Sequence, residues 1–188
     1  QDLLDKILIK EIRGHQLSID AKYDLIVIYN LLKKYEPLSI LDLGSGTSTI
    51  IFAIYAKEML KKNINVRVVS LEEDKLYYEK TKYGLKAIND NIVDLFLSST
   101  SIKTIKDRHF INYDFNHQYD YDFIYIDGPV DNKNNVNYIC NDINIIPKKD
   151  NFVALLDYRL KTYAYLRKDK NYYCQFSLFN KSELIFKR

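Results

Sequence analysis

Five acids and two glycines stand where they could do chemistry. Asp42 precedes a glycine pair, Gly44 and Gly46, inside residues 39–57, which read SILDLGSGTSTIIFAIYAK. Ser45, Thr47, Ser48 and Thr49 surround the glycines with hydroxyls. Gly44 and Gly46 lack the side chains that would hold the backbone away from a ligand. The N–H groups of Ser48 and Thr49, opening an apolar helical pattern, have no partner inside that helix and point into the same space. Glu72 and Glu73 follow the apolar run 66–71, Asp127 closes DFIYI at 122–126, and Asp157 closes FVALL at 152–156. A carboxylate at a strand end can accept from a sugar diol, take a proton or ligate a cation.

Three ligands compete for the glycine turn. A P-loop needs a lysine after its glycines, and none follows here. A dinucleotide turn needs Gly or Ala at the position held by Thr49, whose branched side chain would obstruct a pyrophosphate. S-adenosylmethionine has no phosphate and does not need the third glycine. Its carboxylate suits the N–H groups of the turn, and its ammonium suits Asp42. Glu72 can accept from both ribose hydroxyls. The other reading of Glu72, Glu73 and Asp74 is that they cap the following helix, where acids favour the dipole.

The elements that position these residues alternate. Apolar and β-branched runs at 40–43, 66–71, 92–97, 122–126 and 152–156 read as strands. Helical spacing covers about 18–36 (capped by Ser18 or Asp20 and stopped by Pro37), 48–62, 74–83, 135–146 and 159–168. Gly84 reads as the residue closing the third of these helices. Residues 1–16 read as a short amphipathic helix, and 98–121 as a polar, aromatic connection. The segments 172–179 and 183–187 read as a hairpin turning at Asn180-Lys181. Alternating strands and helices predict a doubly wound, mostly parallel α/β sheet with helices on both faces and an antiparallel C-terminal hairpin.

The 188 residues suffice for one domain, with 1–37 as N-terminal helices and 38–188 as the cofactor-binding core. The chain is 47% hydrophobic and 28% charged, which excludes disordered and fibrous classes. No apolar run reaches bilayer length and no leader is recognisable, so a soluble, cytoplasmic protein is expected. The chain opens on Gln1 rather than Met, as a trimmed chain or a fragment would. Cys140 and Cys174 are read as buried, inert thiols. Basic residues gather near the C-terminus, among them Lys148, Lys149, Arg159, Lys161, Arg167, Lys168 and Lys170. Acids are interspersed and no recognition motif accompanies them, so a solvated face is expected rather than a nucleic-acid partner.

Taken in order, LDLGSGTST, VVSLEED and YDFIYIDGP resemble the class I S-adenosylmethionine-dependent methyltransferases, most of all the catechol O-methyltransferase-like and related small O-methyltransferases. The resemblance runs from about Ser18 to the C-terminus. It implies a Rossmann-like seven-stranded sheet whose last strand is antiparallel. It places Gly44, Ser45, Gly46 and Ser48 at the methionine end of the cofactor, with Asp42 nearby. Glu72 would bind the ribose, Glu73 would lie beside the adenine, and Ser98 or Ser99 would edge it. Asp127 would stand between cofactor and acceptor. Metal-dependent relatives bind a divalent cation, Mg²⁺, with acids placed like Asp127 and Asp157. They follow the second acid with Asn, where this chain has Tyr158. They carry a lysine where this chain has Val130, with Lys133 close by.

The function this implies is methylation of a hydroxyl on a small molecule or sugar. Such an enzyme aligns the acceptor behind an activated methyl and excludes water. Asp127, Lys133 or a histidine of the loop before the fourth strand, His109 or His117, would take the proton. The aromatic residues Tyr113, Phe115, Tyr119 and Tyr121 either wall the acceptor pocket or pack as core. Two alternatives remain: a methyltransferase-like binding subunit without catalysis, and a nucleic-acid methyltransferase using the basic C-terminal region. Acceptor identity and oligomeric state are not readable from the residues.

Overall fold

The computed structural model describes residues 19–87, 91–176 and 182–187. A helix, α1 (Ile19–Tyr35), leads into strand β1 (Ser39–Leu43), then α2 (Thr47–Leu60), β2 (Arg67–Glu72), α3 (Lys75–Ala87) and β3 (Val93–Leu97). A hairpin follows, β4 (Thr100–Ile105) and β5 (Arg108–Tyr113), and then β6 (Tyr121–Ile126). Next come three two-residue strands, β7 (Asn132–Lys133), β8 (Val136–Asn137) and β9 (Ile139–Cys140), with the short helix α4 (Asp142–Ile145). The chain ends in β10 (Lys148–Asp157), α5 (Leu160–Leu166), β11 (Tyr172–Phe176) and β12 (Ser182–Lys187).

The main sheet has seven strands in the order β3-β2-β1-β6-β10-β12-β11. The strands β3, β2, β1, β6 and β10 run parallel, and β12 is antiparallel to both β10 and β11. The chain lays β2 and β3 on one side of β1, then returns to place β6 on the other. That reversal opens a crevice beyond the carboxyl ends of β1 and β6, where sheets of this kind hold ligands.

Side-chain alternation builds two cores. Ile40, Val68, Phe123, Tyr125, Val153 and Leu155 face α1 and α2. Their strand neighbours Leu41, Val69, Ile124, Ala154 and Leu156 share a core with α4, α5 and Tyr113 of β5. Both faces are covered, so the strands are apolar throughout rather than alternating with polar residues. Residues 48–56 of α2 are all buried, and Phe52 sets its ring edge against Phe123 and Tyr125, with centroids 6.2 and 5.9 Å apart.

Three expectations give way. Gly84 does not close a helix: α3 continues to Ala87, with Gly84 buried inside it. The 98–121 connection contains the β4–β5 hairpin, whose turn residues Lys106 and Asp107 have φ of 47° and 61°. Two left-handed central residues match the twist of a tight hairpin, but lysine is a weak signal for one. The helix expected over 135–146 is confined to Asp142–Ile145. Asn134 and Asn135, at φ 53° and 61°, instead turn the β7–β8 hairpin. Asparagine accepts that conformation readily, which competes with helix.

Tyr113 and Tyr121 are core, Phe115 is half-buried, and Tyr119 is exposed with Arg67 stacked 3.6 Å over its ring. Cys140 is buried as expected, whereas Cys174 is only half-buried. Asp20 lies inside α1 rather than before it. The helix read at 1–16, the cap Ser18 and the turn Asn180-Lys181 lie outside the described residues. No described helix is long and apolar enough to cross a membrane.

Candidate functional site

The two glycines of the β1 turn do different work. Gly44, at φ 96°, donates its N–H to the Leu71 carbonyl at 3.0 Å. A β-carbon there would lie 2.6 Å from the Gly128 nitrogen, so its bareness lets the β1 turn touch the turn after β6. Gly46 is the open one: a β-carbon there would meet nothing within 4 Å. It stands at the start of α2, whose first N–H groups are without helical partners.

Asp42 lies under this turn at 0% exposure. Its carboxylate accepts from Thr49 Oγ1 at 2.6 Å, Ser70 Oγ at 2.8 Å and Ser48 Oγ at 3.3 Å. Burial pushes the carboxyl up to about 7 against the pull of those three hydroxyls. Asp42 therefore holds the turn from within, its carboxylate taken up by three hydroxyls.

Glu72 ends β2 at 5% exposure. Its Oε1 accepts from the N–H groups of Glu73 (3.1 Å) and Asp74 (3.0 Å), and its Oε2 from Ser45 Oγ (2.9 Å). Ser45 Oγ also lies 3.1 Å from Thr81 Oγ1. The capping role and a place in the crevice thus coexist, and burial raises the Glu72 carboxyl above its usual range. Glu73 turns away along the crevice. Its Oε1 accepts from the Val130 N–H at 2.7 Å and its Oε2 from the Tyr113 hydroxyl. One strand further, Ser98 donates to the Ser99 and Asp114 carbonyls, while Ser99 donates to the Asp114 carboxylate at 2.8 Å.

Across the crevice, the N–H groups of Asp127 and Gly128 share the Leu43 carbonyl at 2.8 and 2.5 Å. The Arg159 guanidinium, buried at the start of α5, donates to the carbonyls of Pro129 (2.7 Å) and Asp127. It also lies 3.8 Å from the Asp127 carboxylate and 3.6 Å from that of Asp131. The arginine clamps the 127–131 turn rather than Asp157, two residues before it in the chain. Asp157 takes its bond from Tyr125 Oη at 2.9 Å, and its Oδ1 is buried without a partner. Burial and then the Asp157 charge push the Asp127 carboxyl up to about 7, with Arg159 pulling it down. Half of the Asp127 side chain, 51%, is exposed, and solvent softens that push.

The other proposed proton acceptors have partners of their own. His117 lies before the amino end of β6, the opposite end of that strand from Asp127, packed between Phe115 and Tyr121. Burial lowers it to about 4. His109 belongs to β5 and bonds Thr104 at 3.0 Å. Lys133, on β7, reaches Thr100 Oγ1 at 3.4 Å. The expected Mg²⁺ site also gives way. Asp127 already faces a guanidinium and Asp157 a phenol. Among the described residues no group of three or more His, Cys, Asp or Glu side chains is placed to hold a metal. Mg²⁺ asks for several carboxylate, carbonyl or water oxygens around it, and this donor set does not suit it.

Neither the family models nor the curated proteins contain a match to this chain. Solved structures do match. A precorrin-6y C5,15-methyltransferase from Geobacter metallireducens aligns at a TM-score of 0.61 and 16% identity, over 97% of this chain and 96% of its own. A Podospora anserina methyltransferase bound to S-adenosylhomocysteine aligns at 0.59 and 10% identity, over 99% and 94%. A T. thermophilus 16S rRNA N2 methyltransferase with AdoMet and guanosine aligns at 0.56 and 15% identity, over 94% of this chain and 44% of its own. The fold is that of the class I methyltransferases. Acceptors across these three range from a precorrin to RNA, so the methyltransferase fold by itself does not choose one.

Several of the residues that hold the site together had been assigned no partner from the sequence. Thr49 and Ser70 support Asp42, Thr81 sits beside Ser45, and Tyr113 and Tyr125 bond the carboxylates of Glu73 and Asp157. Thr49, Ser70 and Tyr125 lie within the three quoted motifs and Tyr113 within the aromatic group, whereas Thr81 lay in neither.

Proposed function

We propose that this chain binds S-adenosylmethionine at the β1 turn and methylates a hydroxyl of a small molecule or sugar. The observation that carries the reading is the cradle at Gly46, open at the point of strand reversal, with Glu72 one strand away. Gly44, Ser45, Gly46 and Ser48 would hold the amino-acid end, Glu72 the ribose, and Ser98 and Ser99 the edge of the adenine. When bound, the cofactor supplies a methyl group already activated on a sulfonium. Asp127 receives the proton of the acceptor hydroxyl, its raised affinity for a proton suiting it to act near neutral pH. Arg159 fixes the turn that carries Asp127, and Tyr125 fixes Asp157 beside it. The likeness to catechol O-methyltransferase-like enzymes supports an oxygen acceptor, without their metal.

The buried Cys140 thiol, which forms no disulfide, supports a cytoplasmic setting, where thiols stay reduced. Four of the basic residues are committed within the fold, which weighs against a nucleic-acid acceptor. Lys148 caps the Ile143 and Ile146 carbonyls, Lys149 pairs with Asp122, Lys161 bonds the Asn137 carbonyl, and Arg159 is buried. A second reading is a subunit that binds the cofactor without turning it over, in which Asp127, facing Arg159, takes no proton.

Calorimetry with S-adenosylmethionine and S-adenosylhomocysteine tests the first step. Folded protein that binds neither at high micromolar concentration would overturn it. Cofactor binding with no methyl transfer to any hydroxyl acceptor would favour the second reading.

A further inference from the structure

Glu73 follows the carboxyl end of β2, and the 127–131 turn follows the carboxyl end of β6, with β1 between them in the sheet. The Glu73 carboxylate joins the two sides. It accepts the Val130 N–H at 2.7 Å on one oxygen and the Tyr113 hydroxyl on the other. Tyr113 belongs to β5, so one carboxylate gathers three separate segments over the end of β1. Below it the layers are in contact. The Tyr113 Oη sits against Gly128, and Gly128 sits against Gly44.

The sheet itself does not need this link, because β2, β1 and β6 are already joined by their own ladders. The Tyr113 ring is buried core, and its N–H is held by Asp142 at 3.0 Å. Only its hydroxyl is committed to Glu73. A ligand with its sugar at Glu72 and its reacting group toward Asp127 must cross the same span of β1.

We infer that Glu73, Tyr113 and the Val130 N–H form a latch across the cofactor crevice, and that the cofactor enters by releasing it. The inference rests on the cofactor reading above. Binding then includes the cost of breaking two hydrogen bonds to a carboxylate, so removing the latch tightens binding. Release also frees the Val130 N–H, which is a local signal separate from affinity.

The test is S-adenosylhomocysteine titrated into the wild-type chain and Tyr113→Phe, with amide hydrogen exchange read at Ser48 and Val130. Tyr113→Phe keeps the ring and removes only the hydroxyl. Glu73→Gln, which keeps the length of the side chain at this half-buried position and removes its charge, serves as the second variant should the first fail to fold. Each variant is expected to bind at least about tenfold tighter, the scale of one charge-assisted hydrogen bond. In the wild type the ligand should slow exchange at Ser48 and speed it at Val130. Equal or weaker binding by the variants overturns the latch, as does slower exchange at Val130. Protection at Ser48 with no response at Val130 removes the latch and leaves the cofactor reading standing. No response at either amide, with no binding by any form, removes both.

Discussion

The Thr49 hydroxyl donates a 2.6 Å hydrogen bond to Asp42 Oδ2, which ties the first turn of α2 to the middle of β1. The same oxygen accepts the Gly46 N–H at 2.9 Å. Thr49 occupies the position that breaks the dinucleotide pattern, and here it holds the glycine turn from below. Thr49→Val keeps the shape and deletes both bonds, leaving a fully buried carboxyl short of its closest partner. The variant should lose about 1–3 kcal/mol of stability, measured by denaturant unfolding. A loss under about 0.5 kcal/mol, the range of an indifferent surface change, would remove Thr49 from this role.

Two buried acids make stability depend on pH. Asp42 and Asp142 are each pushed from an ordinary value of 3.8 up to about 7, in both cases chiefly by burial. In the unfolded chain both titrate near their ordinary value. Between about pH 4 and 7 the folded state therefore holds more protons than the unfolded state, and its stability falls as pH rises. The contribution is whole below pH 4 and gone above about pH 7. Thermal unfolding followed from pH 5 to 8 should show a declining Tm, with a shallower decline in Asp42→Asn. The same slope in the variant would mean that Asp42 does not carry the effect.

Residues that face a core or obey a strand or helix period were legible before the structure. The runs at 40–43, 66–71, 92–97, 122–126 and 152–156 all became strands of the main sheet. The terminal hairpin was legible for the same reason. What escaped was decided by φ at single residues and by distant partners. Lys106 carries no mark of a left-handed turn, so the β4–β5 hairpin passed for a loop. The Val136, Tyr138 and Ile139 pattern looked helical until Asn134 and Asn135 turned it back. At the site, the strand-end acids were visible as a set. Which of them face inward was not, because Asp42 answers to Ser70 and Glu73 to Tyr113, partners 28 and 40 residues away.

Gly44 and Gly46 should respond in opposite ways to one added methyl. Gly44→Ala forces a side chain to φ 96° and into the Gly128 backbone, and should lose about 2 kcal/mol or more. Gly46 has φ 168°, extended backbone open to any residue, with free space beyond. Gly46→Ala should leave Tm nearly unchanged while weakening S-adenosylhomocysteine binding. Comparable losses of Tm in both variants would mean that the cradle is packed rather than open.

Glu72 is asked to hold a sugar while it also caps its own turn. Glu72→Ala should weaken cofactor binding by about 1–3 kcal/mol, the scale of lost buried hydrogen bonds. Calorimetry on protein shown to be folded by its unfolding transition makes the measurement. An unchanged affinity would assign Glu72 to the turn alone.

The proposed proton acceptor fixes a rate profile and a metal response. Asp127 must be ionised to take a proton, so kcat/KM should fall, roughly tenfold for each pH unit, once the pH drops below the raised value of its carboxyl. Asp157→Asn removes the neighbouring charge that helps hold the Asp127 carboxyl up, and should move that limb toward acid pH. Arg159→Met removes the opposing charge and should move it toward alkaline pH. Asp127→Asn should cut turnover by about 100- to 10,000-fold while the protein still binds S-adenosylhomocysteine. EDTA should leave the rate unchanged, because Asp127 faces Arg159 and Asp157 is bonded by Tyr125, which leaves one unpartnered Asp157 oxygen, too few donors for an ion. A profile indifferent to both neighbouring substitutions would move the proton to another group, and activity lost to EDTA and restored by Mg²⁺ would return the metal to this strand end.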